Sequence, residues 1–580
     1  MSGIRSINDN AIQSVIQRAP TRGCYPSPLA WEDQVLYFML PDRFSDGKET
    51  GYKDIRGQRV TKGTTPMYTN ADNDNAAKDE TDAEAWLDAG AKFVGGTLAG
   101  LQSKLGYLKR LGVTVIWIGP VFKQVAALQT YHGYGVQNFL DVEPRFGTRE
   151  QLRHLVQSAH EVGIYVVLDI ILNHSADVFA YEAGAPTYNG SVFPVKGFWD
   201  ENRRPSIPMT DGPIDQRAFP SAFPNAAIWP LELQPQSTFD RKGSIGGDQW
   251  DTAPHFSKSS TWAMDRRATS APRFTSSRSR AARTTSTSSA GNRTFQTVEI
   301  TGLDAALGIG RVQQTLWKTP KGQCNPNDYF GLFRNAKFLN KGSHAWLRNR
   351  VVTMIDDHDQ IWRGNDKARF CAFENPAVAP RLVLAAMGMN LCTLGIPCIY
   401  YGTEQAFDGA GGGDNKGHGA DQFIREAMFG GGFGAFRSKG RHFFDESSFS
   451  YLEFAKICEI RRKEEALRRG RQYLRDISYD ESGWGLPTIE GDQMKSIMAW
   501  SRIFNGIEIL CAINTDTENE TTVFVTVDHW IKPSGSSMGL IYASGESTNL
   551  HQTLTVSNDS GSGRSVVKLA VPPAGFVIYK

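Results

Sequence analysis

Two short clusters of acidic residues and histidines stand out as groups that could do chemistry. Each cluster follows an apolar run, in the strings LDIILNH and VVTMIDDHD. Their polar side chains are Asp169, Asn173 and His174 in the first string and Asp356, Asp357, His358 and Asp359 in the second. One such cluster is typical of a capped, solvated strand end, but two equivalent clusters favour a shared cleft. Carboxylates beside imidazoles suit the cleavage of a glycosidic bond, because its oxocarbenium-like transition state needs negative charge nearby and hydroxyl groups need hydrogen-bond partners.

The clusters require strands that end at a common edge, and the chain carries such strands between helical patterns. Residues 101–111 and 152–159 have helical stripes that stop at Gly112 and Gly163, and apolar strands are predicted over 113–118, 164–172, 351–355 and 396–401. Strands that are apolar on both faces and separated by helices predict a helix-covered parallel sheet, either a barrel or a doubly wound fold. No GxGxxG string follows the first strand, which disfavours the nucleotide-binding fold.

Two stretches depart from this alternation. Residues 176–250 are rich in Pro, Gly, Asn and aromatic residues without a helical period, which predicts an irregular insertion of the kind that shapes a binding cleft. Later in the chain, strands predicted over 496–504 and 507–513 flank Asn505-Gly506, a two-residue hairpin signal, and further strands follow over 521–527 and 574–579. We therefore predict a separate antiparallel β-domain at this end.

Composition argues against several classes of partner. The chain has 63 Lys and Arg against 61 Asp and Glu, a net charge of +2, which gives no electrostatic argument for nucleic acid or an anionic membrane. Its 580 residues, 40% of them hydrophobic, can bury at least one large core.

The seven scattered cysteines show no metal-site spacing and predict reduced thiols. With no apolar leader and no membrane-spanning stretch, we predict a cytoplasmic protein.

Together with four further strings, the two clusters resemble glycoside hydrolase family 13, the α-amylase family, over roughly residues 30–580. LPDRF at 40–44 resembles the end of the family's first strand, and GTLAGL at 96–101 leading to WIGP at 117–120 resembles its second. YHGY at 131–134 resembles the loop that holds the sugar at the cleaved bond. Residues 395–404 resemble the family's seventh strand.

The resemblance implies an α/β fold: a (β/α)8 TIM barrel with an inserted irregular domain after strand 3 and a C-terminal antiparallel β-sandwich. The predicted boundaries are an N-terminal extension at 1–29, the catalytic barrel at 30–175 and 251–469, an inserted domain B at 176–250 and the β-sandwich at 470–580.

The resemblance also implies roles for single residues. His358 and Asp359 would bind sugar hydroxyls and stabilise the transition state, and the residues expected to bind substrate or support the cleft are His132, Tyr134, Asp169 and His174. Asn173 is a candidate Ca²⁺ ligand, as in calcium-binding members, or an Asn merely hydrogen-bonded at a strand end. No other cofactor is expected. The expected partner is an α-glucan or an oligosaccharide, and the sequence does not define an oligomeric state.

The family's two catalytic carboxylates are not identifiable in this sequence. The family uses a retaining mechanism, with an Asp nucleophile in a GFRxD string and a Glu acid/base at the end of the next strand. In the corresponding place, residues 266–289 read RRATSAPRFTSSRSRAARTTSTSS, which contains no acid and no periodicity. Asp265 and Glu299 stand nearby without the expected strand context, and we regard neither as a replacement.

Two explanations of this tract stay open. A Ser-, Arg-, Ala- and Thr-rich stretch is typical of a disordered insertion. The favoured alternative is a reading-frame error, because RTTSTSS at 283–289, read one base earlier, can become KDNFYLI, a credible buried strand.

The hypothesis for function is an α-amylase-type retaining glycosidase for starch, glycogen or oligosaccharides, with this chain lacking its nucleophile and acid/base. Hydrolases, transferases and isomerases of the family share these motifs. The alternative is a catalytically silent barrel that binds carbohydrate or serves as a non-enzymatic subunit.

Overall fold

The computed structural model describes residues 3–19, 21, 23, 25–69, 77–171, 174–184, 186–243, 306–307, 310–334, 350–414, 416–559 and 561–580. Several sequence predictions fall outside this set: Asn173 as a Ca²⁺ ligand, the acid-free tract at 266–289, and Asp265 and Glu299 as rejected replacements.

In the part of the chain that the structure describes, six parallel strands form the central sheet. In chain order they are β1 (Leu36–Met39), β2 (Val115–Ile118), β3 (Tyr165–Leu168), β4 (Ala306–Leu307), β5 (Val351–Thr353) and β6 (Ile396–Tyr400). Their lateral order is β3-β2-β1-β6-β5-β4, and every neighbouring pair is parallel. The residues of β1, β2 and β6 are all buried, because apolar side chains cover both faces of these strands. The predicted parallel sheet is confirmed.

The helices that precede β2 and β3 end where the sequence predicts. Gly112 follows Leu105–Leu111 with a φ of +99°, and Gly163 follows Arg149–Glu161 with a φ of +78°. Glycine adopts this left-handed conformation without the steric penalty of a Cβ, so it ends a helix readily. The helix predicted over 101–111 is instead two helices, Leu98–Ser103 and Leu105–Leu111, because the backbone of Lys104 departs from helical values.

Two strand predictions need correction. Residues 395–404 resemble the family's seventh strand, but β6 pairs with β1. In a barrel of eight strands, the first strand is flanked by the second and the eighth, so β6 holds the place of the last strand and β5 that of the strand before it. The strand β3, predicted as buried, is mostly half-buried, because no described strand pairs with its other side.

The segments that follow β2 and β3 form short antiparallel pairs. Phe122–Gln124 pairs with Val136–Val142, and Phe179–Tyr181 pairs with Val195–Phe198. Three 3-10 helices follow at Pro220–Ala222, Leu231–Leu233 and Gln236–Thr238. Apolar side chains of this region, Trp229 among them, form a cluster distinct from the core of the parallel sheet.

Two antiparallel sheets form the C-terminal part. The first has the order Arg471–Leu474, Ile497–Phe504, Ile507–Asn514, Phe576–Tyr579, Ser537–Ala543 and Thr553–Thr555, and the second has Ile477–Ser478, Thr521–Thr526, Ser565–Val571 and Ser557–Asn558. The hairpin predicted at Asn505-Gly506 is confirmed by the pairing of Phe504 with Ile507. Residues of both sheets share one apolar cluster, as expected for two sheets packed face to face in a β-sandwich.

The helix Ala379–Cys392 joins the two parts of the molecule. It is apolar on nearly every side and largely buried. From the C-terminal sheet, Trp500 Nε1 and Arg502 Nη1 donate to the carbonyl oxygen of Cys392 at 3.1 and 3.0 Å. Gly388 lies so close to Phe576 that a Cβ on Gly388 would come within 2.4 Å of that ring.

The other helices are Asn10–Arg18, Pro41–Phe44, Glu80–Gly90, Arg311–Lys318, Pro326–Phe330, Phe449–Lys463 and Glu465–Arg469. Further 3-10 helices are Trp31–Asp33, Gly331–Arg334, Ile361–Arg363, Thr403–Gln405, Ala420–Ile424 and Ala435–Arg437, and Lys367–Ala368 pairs with Ala410–Gly411. In the described part of the chain, the cysteines 324, 371, 392, 398, 458 and 511 are buried and free, and no helix is long and apolar enough to cross a membrane.

Candidate functional site

The polar residues predicted from the sequence gather at the carboxyl-terminal edge of the parallel sheet. Asp169 comes directly after β3, and residues 356–359 follow shortly after β5. The loop that holds His132 and Tyr134 lies between the two antiparallel strands that follow β2. Because all six strands run in the same direction, these segments meet at one edge, which is where parallel barrels carry their sites.

Tyr134 lies at the centre of this group. Its hydroxyl donates to Asp169 Oδ2 at 3.0 Å, and its ring stacks on His358 with centroids 5.3 Å apart and an interplanar angle of 5°. The backbone N–H of Tyr134 donates to His132 Nδ1 at 3.1 Å. His174 Nε2 lies 3.3 Å from the carbonyl oxygen of Tyr134. Four other predicted site residues, Asp169, His358, His132 and His174, are therefore linked by direct contacts with this tyrosine.

Asp169 is a buried carboxyl whose charge changes near neutral pH. Burial raises its pKa to about 6, although the hydrogen bond from Tyr134 favours the charged form and lowers it. Burial and the nearby Asp169 and Asp359 carboxylates hold the pKa of Tyr134 well above its usual range. The tyrosine therefore stays protonated and acts as the donor in this pair.

His358 presents a neutral imidazole to the site. Its ring lies between Tyr134 and Phe38, whose centroid is 5.1 Å away at an angle of 67°. Burial lowers the pKa of His358 to about 3, and the positive charges of Arg425 and Lys367 add to this effect. Its Nδ1 atom is buried without a hydrogen-bond partner among the described residues. A hydroxyl group placed there would satisfy this nitrogen.

Asp359 is a partly open member of the group, with its side chain 46% exposed. Arg425 Nη2 lies 3.6 Å from Asp359 Oδ1, and Arg425 Nε donates to the carbonyl oxygen of His358 at 2.8 Å. A single guanidinium therefore holds both members of the His358-Asp359 pair. Asp421 Oδ2 accepts a further hydrogen bond from Arg425 Nη2 at 3.0 Å.

Sequence reasoning missed Arg425. The available signal was the pair Asp421 and Arg425, which are four residues apart and oppositely charged. Such a pair is ordinarily a solvated surface contact. Only the fold of the segment after β6 brings it to the site, where Arg425 is almost fully buried.

The other two carboxyls of the second cluster support the backbone. Asp357 Oδ1 accepts hydrogen bonds from the N–H groups of Asp359 and Gln360, and Gln313 Nε2 donates to Asp357 Oδ2 at 2.6 Å. Asp356 accepts from the N–H of Phe370 at 2.8 Å and from Thr403 Oγ1 at 3.3 Å. Burial raises the pKa of Asp356 to about 6. These two residues shape the loop that presents His358 and Asp359.

Calcium remains a prediction from the sequence. Among the residues that the structure describes, no group of three or more His, Cys, Asp or Glu side chains is placed to hold a metal ion. Asn173 lies outside those residues.

Comparison with known proteins gives a family match and several relatives. Residues 38–229 match the family model described as alpha amylase, catalytic domain. The chain is 25% identical over 511 residues to the α-amylase of Streptomyces lividans, a match that covers 75% of this chain and 52% of that protein. It is 31% identical over 163 residues to α-amylase 2 of Dictyoglomus thermophilum, covering 25% of this chain and 28% of that protein. The chain thus spans about half the length, or less, of these curated relatives.

A solved structure resembles nearly the whole chain. The α-amylase of Geobacillus thermoleovorans, complexed with acarbose, matches with a TM-score of 0.54 at 18% identity, covering 95% of this chain and 99% of that chain. At this identity the likeness concerns the fold: a TIM barrel followed by a C-terminal sheet domain.

Proposed function

We propose that the chain is a member of the α-amylase family, glycoside hydrolase family 13, and that the protein acts on the α-glucosidic bonds of starch, glycogen or oligosaccharides. The observation that carries the proposal is the convergence of the predicted sugar-binding residues around Tyr134 at one end of the parallel sheet. Their positions were chosen from sequence motifs alone.

The chemistry of this group suits a sugar. Tyr134 and His358 stack on each other and give the site an aromatic surface, which suits the apolar C–H groups of a pyranose. Asp169 and Asp359 offer carboxylate oxygens that accept hydrogen bonds from hydroxyl groups. The unpartnered Nδ1 of His358 adds a buried polar atom that needs a ligand hydroxyl. We assign substrate binding to these four residues together with His132 and His174.

For a complete family member, we expect double displacement. The Asp nucleophile attacks the anomeric carbon while the Glu acid gives its proton to the leaving glycosidic oxygen. Water then attacks the glycosyl-enzyme bond, gives its proton to the same Glu and releases the nucleophile. Asp359 orients the sugar, and its negative charge raises the pKa of the acid and stabilises the positively charged transition state. This sequence identifies neither catalytic carboxylate, so we assign cleavage to a chain in which the reading frame of residues 266–289 is restored.

The proposal extends to further features of the protein: its barrel, its inserted domain and its location. We propose that the barrel has eight strands, that residues 176–250 form an inserted domain, and that the protein is cytoplasmic. We also propose Asn173 as a Ca²⁺ ligand, but no step of the reaction is assigned to the ion.

The experiment compares binding with turnover. Isothermal titration calorimetry with maltotetraose should show binding to the full chain, and His358→Ala should weaken it at least about tenfold, because about 1.4 kcal/mol is a modest loss for a buried polar contact. His551→Ala, at an exposed histidine of the C-terminal part, is the matched control. A frame-corrected chain carrying GFRxD and the Glu should cleave starch, maltooligosaccharides, sucrose or trehalose. Absence of turnover on all four would contradict the proposed activity.

A silent sugar-binding barrel is the second candidate, because the tract at 266–289 offers no acid. Sequencing of the natural transcript from the codon for Gly247 to that for Arg293 separates the two. A restored GFRxD string and Glu would make the chain an ordinary retaining enzyme. A transcript that matches the present sequence would favour the silent barrel.

A further inference from the structure

A buried contact between an arginine and a glutamic acid lies behind the segment that carries Arg425. Arg369 Nε is 3.4 Å from Glu426 Oε2, and the two side chains are 0% and 2% exposed. Glu426 directly follows Arg425 in the chain. Arg369 is also bonded to its surroundings, since Nη1 donates to the carbonyl oxygen of Tyr401 and the backbone N–H to that of Gly409, both at 2.7 Å. Arg369 thus connects the end of β6 with the segment that leads to Arg425.

Packing leaves this pair little freedom. The guanidinium of Arg369 lies 4.5 Å from the ring centroid of Tyr400 and 5.3 Å from that of Phe407. Glu426 packs so tightly against Gly409 that a Cβ there would come within 2.4 Å of Glu426 Oε2. The carboxyl of Glu426 cannot turn toward the loop at Gly409 without displacing backbone.

We propose that Arg369 and Glu426 are positioning residues for the sugar site: their buried contact fixes the segment that carries Arg425, and Arg425 in turn holds His358 and Asp359. This inference rests on the proposed function, because it assigns a consequence for sugar binding to residues that do not touch the sugar. The chain of contacts has three links. Arg369 contacts Glu426, Arg425 is its covalent neighbour, and Arg425 bonds to the His358 carbonyl and faces Asp359.

The charges around Glu426 give the pair a dependence on pH. Burial raises the pKa of Glu426 to about 8, Arg369 lowers it, and Asp408 and Asp356 raise it further. Below this pKa, the neutral Glu426 leaves Arg369 facing the carboxyls of Asp356 and Asp408. Ionisation adds another buried negative charge beside them. The raised pKa means that the fold holds the neutral carboxyl of Glu426 better than its carboxylate, so ionisation destabilises the segment that carries Arg425. Sugar affinity should therefore fall as pH rises through about 8 in the wild-type protein.

The test uses maltotetraose and the full chain in two Glu426 variants. Glu426→Ala should weaken binding about tenfold, equivalent to about 1.4 kcal/mol, because Arg425 loses its fixed neighbour. Glu426→Gln keeps the shape and the neutral charge, so it should bind like the wild type at about pH 7 and lose the fall above about pH 8. The control is Glu508→Ala, which breaks a buried pair with Arg475 in the C-terminal sheet. It should lower thermal stability and leave the affinity of the folded protein unchanged.

The remaining outcomes of these binding experiments also test the positioning role of Arg369 and Glu426. A folded Glu426→Ala protein with wild-type affinity overturns the proposal, and so does an equal loss in Glu508→Ala, which would indicate general destabilisation. If Glu426→Ala does not fold, persistence of the high-pH fall in Glu426→Gln overturns it. If the wild type binds no maltotetraose, the proposed function fails, and crystal structures of the wild type and Glu426→Gln above about pH 8 then test the positioning role. Loss of the Arg425–His358 contact in the wild type alone supports that role. Retention of the contact in both proteins overturns it.

Discussion

At the scale of single residues, Tyr134 links the charge of Asp169 to the sugar site. The hydrogen bond from its hydroxyl favours the charged carboxylate, which is the stronger acceptor for a sugar hydroxyl. Affinity for maltotetraose should therefore fall as pH drops through about 6, where Asp169 takes up a proton. Below that pH the carboxyl is neutral and one acceptor is weakened.

Tyr134→Phe should move this fall to higher pH. The variant removes the donor that lowers the pKa of Asp169, while burial still raises it. The pH dependence of binding, measured by calorimetry between about pH 5 and pH 8, gives the midpoint. Tyr473→Phe, at a partly exposed tyrosine of the C-terminal sheet, is the control and should leave the midpoint in place. An unchanged midpoint in Tyr134→Phe would mean that Asp169 does not control binding.

Asp356 should make the wild-type protein lose stability as pH rises. Its pKa is about 6 in the fold against 3.8 when unfolded, so the folded state binds the proton more tightly. The free energy of unfolding should fall between about pH 4 and pH 6 and then level off. Asp356→Asn lacks this group, so its stability relative to wild type should rise over that window by about 3 kcal/mol.

Urea unfolding at several pH values measures this difference. Asp480→Asn is the control, because Asp480 is exposed and hydrogen bonds from Ser482 hold its pKa at about 2, below the window. A flat difference between Asp356→Asn and wild type would show that Asp356 is charged throughout.

The sequence predicts site residues well when they lie within a short motif. His358 and Asp359 stand in one string, and their contacts with Tyr134 and Arg425 place them at the site. Arg425 could not be found in the same way. Its role depends on a loop conformation that brings it to a strand end more than sixty residues earlier in the chain, as shown by its bond to the carbonyl of His358.

At the scale of elements, the glycines that end two helices differ in their surroundings. Gly112 and Gly163 both have positive φ, which costs an L-residue about 1–2 kcal/mol. A Cβ on Gly112 would lie 2.5 Å from the Cβ of Cys458, whereas a Cβ on Gly163 would meet nothing within 4 Å.

Gly112→Ala should therefore cost more stability than Gly163→Ala. The second variant measures the backbone penalty alone, about 1 kcal/mol, and the first adds a steric clash with helix Phe449–Lys463 on the order of 1–3 kcal/mol. Chemical denaturation of both variants gives the comparison. Equal losses would mean that the helix moves away at little cost.

The sequence locates strands but not their neighbours. The apolar runs that become β5 and β6 were recognised by composition, yet β6 was given the wrong place in the barrel. Lateral order is determined by hydrogen bonds between distant segments, such as the pairing of Leu36 with Cys398. Periodicity within one segment carries no information about that partner. The same limit applies to the break at Lys104, which is a local departure inside an unbroken apolar stripe.

At the scale of the whole molecule, the helix Ala379–Cys392 contacts both the parallel sheet and the C-terminal sheet, and these contacts belong to one core. It belongs to the core around the parallel sheet and packs against Phe576 of the C-terminal sheet. The wild-type protein should therefore unfold in one calorimetric transition. Phe576→Ala should lower stability by about 3–5 kcal/mol and separate the transition into two, because it loosens the contact between the parts.

Val525→Ala is the control for that experiment. Val525 is buried in the interior of the β-sandwich, away from the helix, so the variant should lower the transition temperature without separating it. A single transition in Phe576→Ala would show that the remaining contacts, such as the Trp500 bond to Cys392, suffice to couple the parts.

The sequence predicts the two parts of the architecture, but it does not predict the contact of the helix Ala379–Cys392 with the C-terminal sheet. Alternating helix and strand patterns predict the parallel sheet, and Asn505-Gly506 predicts one hairpin of the antiparallel end. The apolar character of residues 379–392 is explained only by the second layer that covers the helix. Such a contact between sequence-distant layers has no signature in either segment alone.

The buried cysteines allow the opening of this core to be measured by chemical labelling. Burial raises the pKa of the Cys458 thiol to about 12. The six described cysteines are all buried. A reagent that attacks thiolates therefore reacts with each of them only after the surrounding structure opens. Cys398 lies in β6, whereas Cys511 lies in the C-terminal sheet. The labelling rates of these two thiols by a maleimide, read by peptide mass spectrometry under native conditions, would report separately how often each half of the molecule opens.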